Sequence, residues 1–465
     1  MFPSHDTGIG ISISRDASNV ITVNNTGDVS QKDTAYYFPE TYGAVVNDAT
    51  DDRAAIQSAI DAACARGGGI VWLRKGDYRI TTSASRGTYN SGIHLCSNVY
   101  LMGTGYGSVI YSKLTSSGQH VVSLPHSGTN VVIKDIKIKA DSVDSGAAIF
   151  GYYGMTNLEI EHVKIDRGMC WGVLIKEASK GVIQNCDIQN GGQCHCVEIN
   201  NCNNFIVKNN WLYSNGTKTY FPTRGNGCES FYDRNGENRP YANLIEGNTI
   251  WGTGGGIVVW ADSITRVVNN TIRTIQGHGI TIKKNNDASP TYPCVNIQIK
   301  GNTIYGTGYA NNSSLGMLVD DENREILIEG NTLDTILSQN SGSGGGVGMD
   351  IQAPGTVINN NIIRHCSING ISMAGSADYC SVTGNVIMDC SMLQNGFRAI
   401  SCSGDRCVIT GNSVHDTRGT HKMDICIYVP GTNNVIVGNN ASGANSGDAI
   451  YCPGTGNVEA NNKEN

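Results

Sequence analysis

Two glutamates, Glu198 and Glu229, and three further groups, Asp233, Asp320 and Lys283, stand where short alternating segments would turn them outward. Two carboxyl groups about 5–5.5 Å apart make the acid and nucleophile of a retaining glycosidase, and a wider pair flanking a water makes an inverting one. On neighbouring strands Glu198 and Glu229 fit the first geometry, and Asp320 with a residue two strands away fits the second. Lys283 is a base for elimination if Lys284 depresses its pKa, and otherwise a plain exposed lysine. Trp260, Tyr220 and Phe231 offer flat apolar rings of the kind on which sugars stack. Arg224 and Arg234 offer a bidentate fork for a uronate or sulfate, and Asp350 lies on the same face. The bland alternative for every one of these acids is a solvated carboxylate on an open strand.

What would hold them together is a repeat. Gly-Asn-Thr-Ile or a close variant recurs around Asn248, Asn270, Asn302, Asn331, Asn361, Asn385, Asn412 and Asn439, at intervals of 22 to 32 residues. A period in that range belongs to a solenoid. Each repeat carries a strand before the asparagine, such as Ile297-Gln-Ile-Lys300, and a Gly-led strand after it, such as Gly279-Ile-Thr-Ile-Lys283. Alternation over four or five residues, punctuated by Gly and Asn, is a strand signature, and no helical period runs through it. The fold class is therefore all-β, a right-handed single-stranded parallel β-helix. Its asparagines would stack about 4.8 Å apart and bond through their amides. Alternation sends Val197/Ile199, Ile257/Val259, Ile280/Ile282, Met317/Val319 and Met349/Ile351 inward. Glu198, Glu229, Trp260, Lys283, Asp320 and Asp350 then share one outer face.

Composition narrows the partners. A net charge of −7 argues against wholesale binding to nucleic acid or an anionic membrane. No run of eighteen apolar residues offers a membrane span, and the first residues, Met1 to Asp6, show no secretory signal. Of the 16 cysteines, Cys366 and Cys390 stand where Ile and Thr also stand, five residues after a repeated asparagine (Thr253, Ile275, Thr307, Ile336, Cys366, Cys390, Thr417). Cys402 and Cys452 likewise fall at inward strand positions. That pattern reads as buried thiols inside the coil of a protein folded in a reducing compartment. The cluster Cys186, Cys194, Cys196, Cys202 matches no zinc spacing, so no metal ligand set is assigned. Asp320, Asp321 and Glu322 form the one acidic cluster with calcium-type ligands, against which stands a solvated acidic turn. No cofactor is expected.

Along the chain, residues 1–38 lie outside the repeat and contain a hairpin of 10–14 and 20–23, a small β appendage for attachment or packing. Residues 39–80 hold a capping helix, with Ala55, Ile56, Ala59, Ile60 and Ala63 on one face and Gly67–Gly69 stopping it. Residues 81–465 form the β-helix, with loop insertions at 214–242, 285–295, 308–315 and 338–347. His278 reads as a turn cap.

The stretch from Tyr42-Gly-Ala-Val-Val-Asn-Asp-Ala-Thr-Asp-Asp-Arg through Gly-Gly-Gly-Ile-Val-Trp-Leu-Arg-Lys-Gly-Asp-Tyr78 resembles the opening of pectate-lyase-superfamily β-helix proteins. Bacteriophage tailspikes, polysaccharide lyases, glycoside hydrolases and alginate C5-epimerases share it. Val46-Asn47 departs from the usual Gly-Asp-Gly turn. Neither the Asp-Pro-His signature of alginate epimerases nor the Asn-Thr-Asp and Asp-Asp motifs of polygalacturonases is present, although Gly277-His278-Gly279 is similar to one polygalacturonase element. The resemblance is strongest in character to tailspike depolymerases. It implies an endo-glycosidase acting on a bacterial surface polysaccharide, a homotrimer, and virion attachment through residues 1–38. The alternatives are a lyase or C5-epimerase on a uronate polymer, a non-catalytic receptor-binding appendage, and a secreted rather than virion-borne protein.

Overall fold

The computed structural model describes residues 11–15, 21–25, 34–86, 89–141, 146–166, 170–190, 194–214, 225–232, 239–285, 291–308, 314–338, 345–393, 396–420, 422–445 and 448–464. The chain forms two compact units, Met1–Val173 with Ala178–Ile188, and Leu174–Glu177 with Gln189–Asn465.

In the first unit Ile11–Arg15 and Ile21–Asn25 pair antiparallel, which is the expected hairpin. A third strand, Thr34–Tyr37, pairs antiparallel with Ile21–Asn25 and parallel with Gly69–Trp72, so the appendage joins the sheet. Helix α1, Arg53–Ala65, buries Ala55, Ile56, Ala59, Ile60 and Ala63. Gln57 lies on the same side and bonds the backbone N–H and carbonyl of His94 at 2.8 and 3.0 Å, fixing the helix against the strand Tyr89–His94. Gly68 is required where the helix stops, because its φ is +140° and a Cβ there would meet the Asn98 carbonyl at 2.5 Å. Parallel strands follow, with Thr129–Ala140 registered on Thr156–Asp166. No helix of the described residues is long and apolar enough to cross a membrane.

The thiol reading needs correcting here. Cys64, at the end of α1, forms a disulfide with Cys96, and Cys170 and Cys194 are also disulfide-bonded. Cys64 and Cys96 lie outside the stacked positions, the first on the helix, and they approach to 6.1 Å between Cα atoms. A disulfide needs an oxidising environment, so the reduced-compartment expectation fails for them. The remaining cysteines form no disulfide among the described residues, and all but Cys452 are buried.

The second unit repeats a coil of three strands. The first two are short and separated by the asparagine turn, and the third begins the Gly-led segment. Asn210, Asn248, Asn270, Asn302, Asn331, Asn361, Asn385, Asn412 and Asn439 form a continuous ladder. Each donates both its backbone N–H and its Nδ2 to the Oδ1 of the next, at 2.9–3.1 Å. The left-handed conformation belongs to the residue before the ladder asparagine. Asn209, Gly247, Asn269, Gly301, Gly330, Asn360, Gly384, Gly411 and Gly438 have φ between +54° and +68°. That explains why the motif reads Gly-Asn or Asn-Asn: one residue turns the corner and the next bonds along the axis. The inward positions named from alternation are all fully buried. Thr253, Ile275, Thr307, Ile336, Cys366 and Cys390 are buried as expected, but Thr417 is exposed. Asp416 is the buried residue there, held by Arg418 and the Met423 N–H, where the turn is occupied by a local ion pair.

One buried carboxyl makes stability depend on pH. Asp262 is fully buried, accepts Ser230 Oγ and the Ser263 N–H at 2.6 Å each, and burial pushes it up to about 6. A carboxyl raised in the folded state favours folding below its unfolded pKa, near 4, and that contribution is lost as pH rises through 6. The difference is on the order of 3 kcal/mol. Tm is therefore expected to fall between pH 4 and 8, and Asp262→Asn is expected to flatten that slope, as thermal unfolding across the range would register.

Candidate functional site

The third strand of each coil carries the candidate residues. Its register puts Glu198, Glu229, Val258, Thr281, Leu318, Asp350, Ser372 and Ser401 in one file along the axis. Asn200, Phe231, Trp260 and Lys283 form a second file two residues further along each strand, and Asp320 follows Val319 on the next coil. The nominated residues thus occupy two adjacent files rather than one, because alternation returns a side chain to the same face at every second residue.

Glu198 and Glu229 face each other on neighbouring coils, and both are buried. Nε2 of His195 lies 3.1 Å from Glu229 Oε2 and 3.6 Å from Glu198 Oε2, so one nitrogen reaches both carboxylates. Nδ1 of the same ring accepts the Asn226 N–H at 2.9 Å, which leaves the ring proton on Nε2, facing the acids. Asn226 Nδ2 donates to Glu229 at 2.8 Å and Asn200 Nδ2 donates to Glu198 at 2.8 Å. Burial pushes Glu229 above the usual carboxylate range and the Glu198 charge adds to it, while His195, Asn226 and Lys283 pull the other way. A carboxyl raised by burial keeps its proton to higher pH, the usual physical basis for a general acid. Asn200 Oδ1 and Trp260 Nε1, in the neighbouring file, are buried with no hydrogen-bond partner among the described residues.

Lys283 Nζ sits 5.4 Å from the centre of the Trp260 ring, whose edge meets Phe231 at 4.8 Å. The Lys284 ammonium is tied to Asp321 and Glu322 at 2.8 Å each. Those are the two acids that, with Asp320, made the calcium candidate. Asp320 and Asp350 are both raised, chiefly by burial. Asp350 follows Glu229 by four coils, roughly 19 Å at one strand spacing per coil. The inverting arrangement suggested for Asp320 is not formed: two coils away the outward positions are Val258 and Trp260 on one side and Ser372 on the other. Tyr220, Arg224, Asp233 and Arg234 lie outside the described residues.

His195, Asn200 and Asn226 were not identified from sequence. Their signal is positional. His195 stands two residues before the strand's first inward residue, where His278 and Asn369 also stand. His278 Nδ1 accepts the Leu315 N–H at 3.0 Å and Asn369 Oδ1 accepts the Arg398 N–H at 2.9 Å. These side chains satisfy N–H groups at the strand entry, so His278 is the cap it was expected to be. Burial, with Lys283 adding to it, lowers its pKa to about 4.

The chain matches the family model described as a right handed beta helix region over residues 91–272 and 255–420. It is 30% identical over 122 residues to mannuronan C5-epimerase AlgE4 of Azotobacter vinelandii, a stretch covering 25% of this chain and 22% of that enzyme. The chain therefore spans less than a quarter of that relative. The AlgE6 A-module of the same organism superimposes with a TM-score of 0.58 at 19% identity, covering 92% of this chain and 99% of the module. A tailspike protein of E. coli bacteriophage HK620, in complex with a pentasaccharide, superimposes with a TM-score of 0.66 at 14% identity, covering 94% and 84%.

Proposed function

The chain belongs to the right-handed β-helix family, and from that premise we propose that it binds an extracellular polysaccharide along the third-strand face and cleaves it there. The observation that carries this reading is the buried Glu198–Glu229 pair bridged by His195. Glu229, raised by burial, gives its proton to the glycosidic oxygen as that bond breaks. Glu198 attacks the anomeric carbon, and water later releases the sugar with Glu229 acting as base, as adjacent-coil spacing favours. His195 donates from Nε2 and holds the pair in register, while Trp260 and Phe231 offer a ring surface beside it. Asp320, Asp350 and Lys283 extend the polar face further along the axis and serve as substrate contacts. An extracellular or virion-borne site of action, a homotrimer, and attachment through residues 1–38 belong to the same proposal, supported by the tailspike likeness in fold.

A second reading, a C5-epimerase or lyase on a uronate polymer, is favoured by the AlgE4 similarity. It would use His195 or Lys283 at the sugar's C5 proton. The missing Asp-Pro-His signature weighs against it. Incubation with acidic and neutral capsule polysaccharides separates the readings. New reducing ends without ultraviolet absorbance are the expected result. Unsaturated ends would mean elimination, exchange at C5 without cleavage would mean epimerisation, and retention without products would mean a receptor-binding protein.

A further inference from the structure

The second strand of the coil carries a different array. Trp211, Thr249, Thr271, Thr303 and Thr332 form one outward file over successive coils of the second unit, and Tyr213, Trp251, Arg273 and Tyr305 form the file beside it. Trp211, Trp251 and Tyr305 are 45%, 42% and 50% exposed and lie within four successive coils. Behind them Leu212, Ile250, Ile272 and Ile304 are fully buried, so the rings stand on a rigid base. Tyr213 and Trp251 approach to 6.4 Å with a 31° tilt, and the Arg273 guanidinium lies 5.7 Å from the Trp211 ring. Over the four coils from Trp211 to Tyr305 these two files contain one charged group, Arg273, and the second file continues with Asp334, which is paired with Arg364 and His365.

We infer that this face is a second binding surface for an extended acidic polysaccharide, separate from the third-strand face that carries Glu198 and Glu229. Sugar rings stack their apolar faces on Trp211, Trp251 and Tyr305, the threonine hydroxyls meet the ring hydroxyls, and Arg273 takes a carboxylate or sulfate. The period fits, since one coil advances about 4.8 Å, close to the length of one sugar in an extended chain. Charge fits as well: with Asp334 and Arg364 on the two coils after Tyr305, the second file carries two arginines and one aspartate, although the chain as a whole is −7. Thr249 stands beside Trp251 and Thr303 beside Tyr305, so on those coils a hydroxyl lies next to a ring. The inference rests on the polysaccharide reading above but not on cleavage.

The test is affinity electrophoresis of the full chain in gels containing alginate, polygalacturonate or neutral dextran, comparing wild type, Glu229→Gln and the triple variant Trp211→Ala/Trp251→Ala/Tyr305→Ala. All three replaced residues are solvent-facing, and unchanged thermal unfolding confirms the fold. The triple variant is expected to lose roughly tenfold or more in affinity for an acidic polymer, with dextran mobility unchanged and turnover of short oligosaccharides within about twofold of wild type. Unchanged retention on the acidic polymers overturns the inference. So does a loss of self-association in sedimentation without loss of polymer retention, which would make the face an interface between copies. If no variant processes any substrate while the triple variant still loses retention, the cleavage reading fails and this one stands. If wild type is retained by none of the polymers, both fail.

Discussion

Replacing Glu229 with glutamine is expected to lower kcat for polysaccharide cleavage by roughly 10²–10⁴, with KM little changed. The amide keeps the shape of the side chain and a hydrogen bond to His195 but cannot deliver a proton to the leaving oxygen. The deficit should shrink on an activated substrate whose leaving group departs without protonation. Glu198→Gln should fail on both substrates, because the attacking group is gone, and should be rescued by a small exogenous nucleophile such as azide. A structural role for the pair would give parallel losses of activity and Tm in both variants, and no rescue.

The pH profile carries the same assignment. Glu229 must hold its proton to act as the acid, and burial pushes its pKa up. Activity should therefore decline on the alkaline side as pH rises through that raised value, and the limb should vanish in Glu229→Gln. His195 accepts the Asn226 N–H at Nδ1 and faces both acids through Nε2. His195→Asn should lower kcat less than Glu229→Gln and leave the alkaline limb in place.

Much of this site was legible before any coordinates. Alternation put Glu198 outward because Val197 and Ile199 go inward, and Glu229 on the neighbouring coil. Period-2 patterning is reliable in a solenoid, where successive side chains point to opposite faces of the sheet. Three things were not legible. His195 bonds across coils, and its role depends on which N–H lies opposite, a registration that variable loop lengths conceal. The Cys64–Cys96 bond joins residues that belong to no repeat, so the periodic argument for buried thiols did not reach them. The raised Asp262 depends on Ser230 and Asn243 converging from the neighbouring coil. Local pattern reveals direction, whereas pairing between coils is a property of the assembled stack.

That stack makes the second large prediction. Asn331→Ala is expected to destabilise the protein by about 4 kcal/mol, because each buried group left unbonded costs about 1–3 kcal/mol. Asn331 Oδ1 is the acceptor for both the N–H and the Nδ2 of Asn302, at 2.9 Å each. Its Nδ2 in turn serves the carbonyls of Ile299 and Glu329 and the Asn361 amide oxygen. Truncation strands two donors in a site with no access to water, since both asparagines are fully buried. Asn331→Asp should be no milder at neutral pH: it keeps the acceptor but sets a carboxylate against three oxygens that the Nδ2 had satisfied, and it should improve on acidification. Asn462→Ala is the control. It removes the acceptor for Asn439 from a half-buried position in the last asparagine turn, where water can substitute, so it should cost about 1 kcal/mol or less. Because neighbouring coils support one another in one dimension, hydrogen exchange in Asn331→Ala should quicken first between Asn302 and Asn361 and spread outward from there. A uniform loss of protection along the chain would instead mean that the ladder is not what couples the coils.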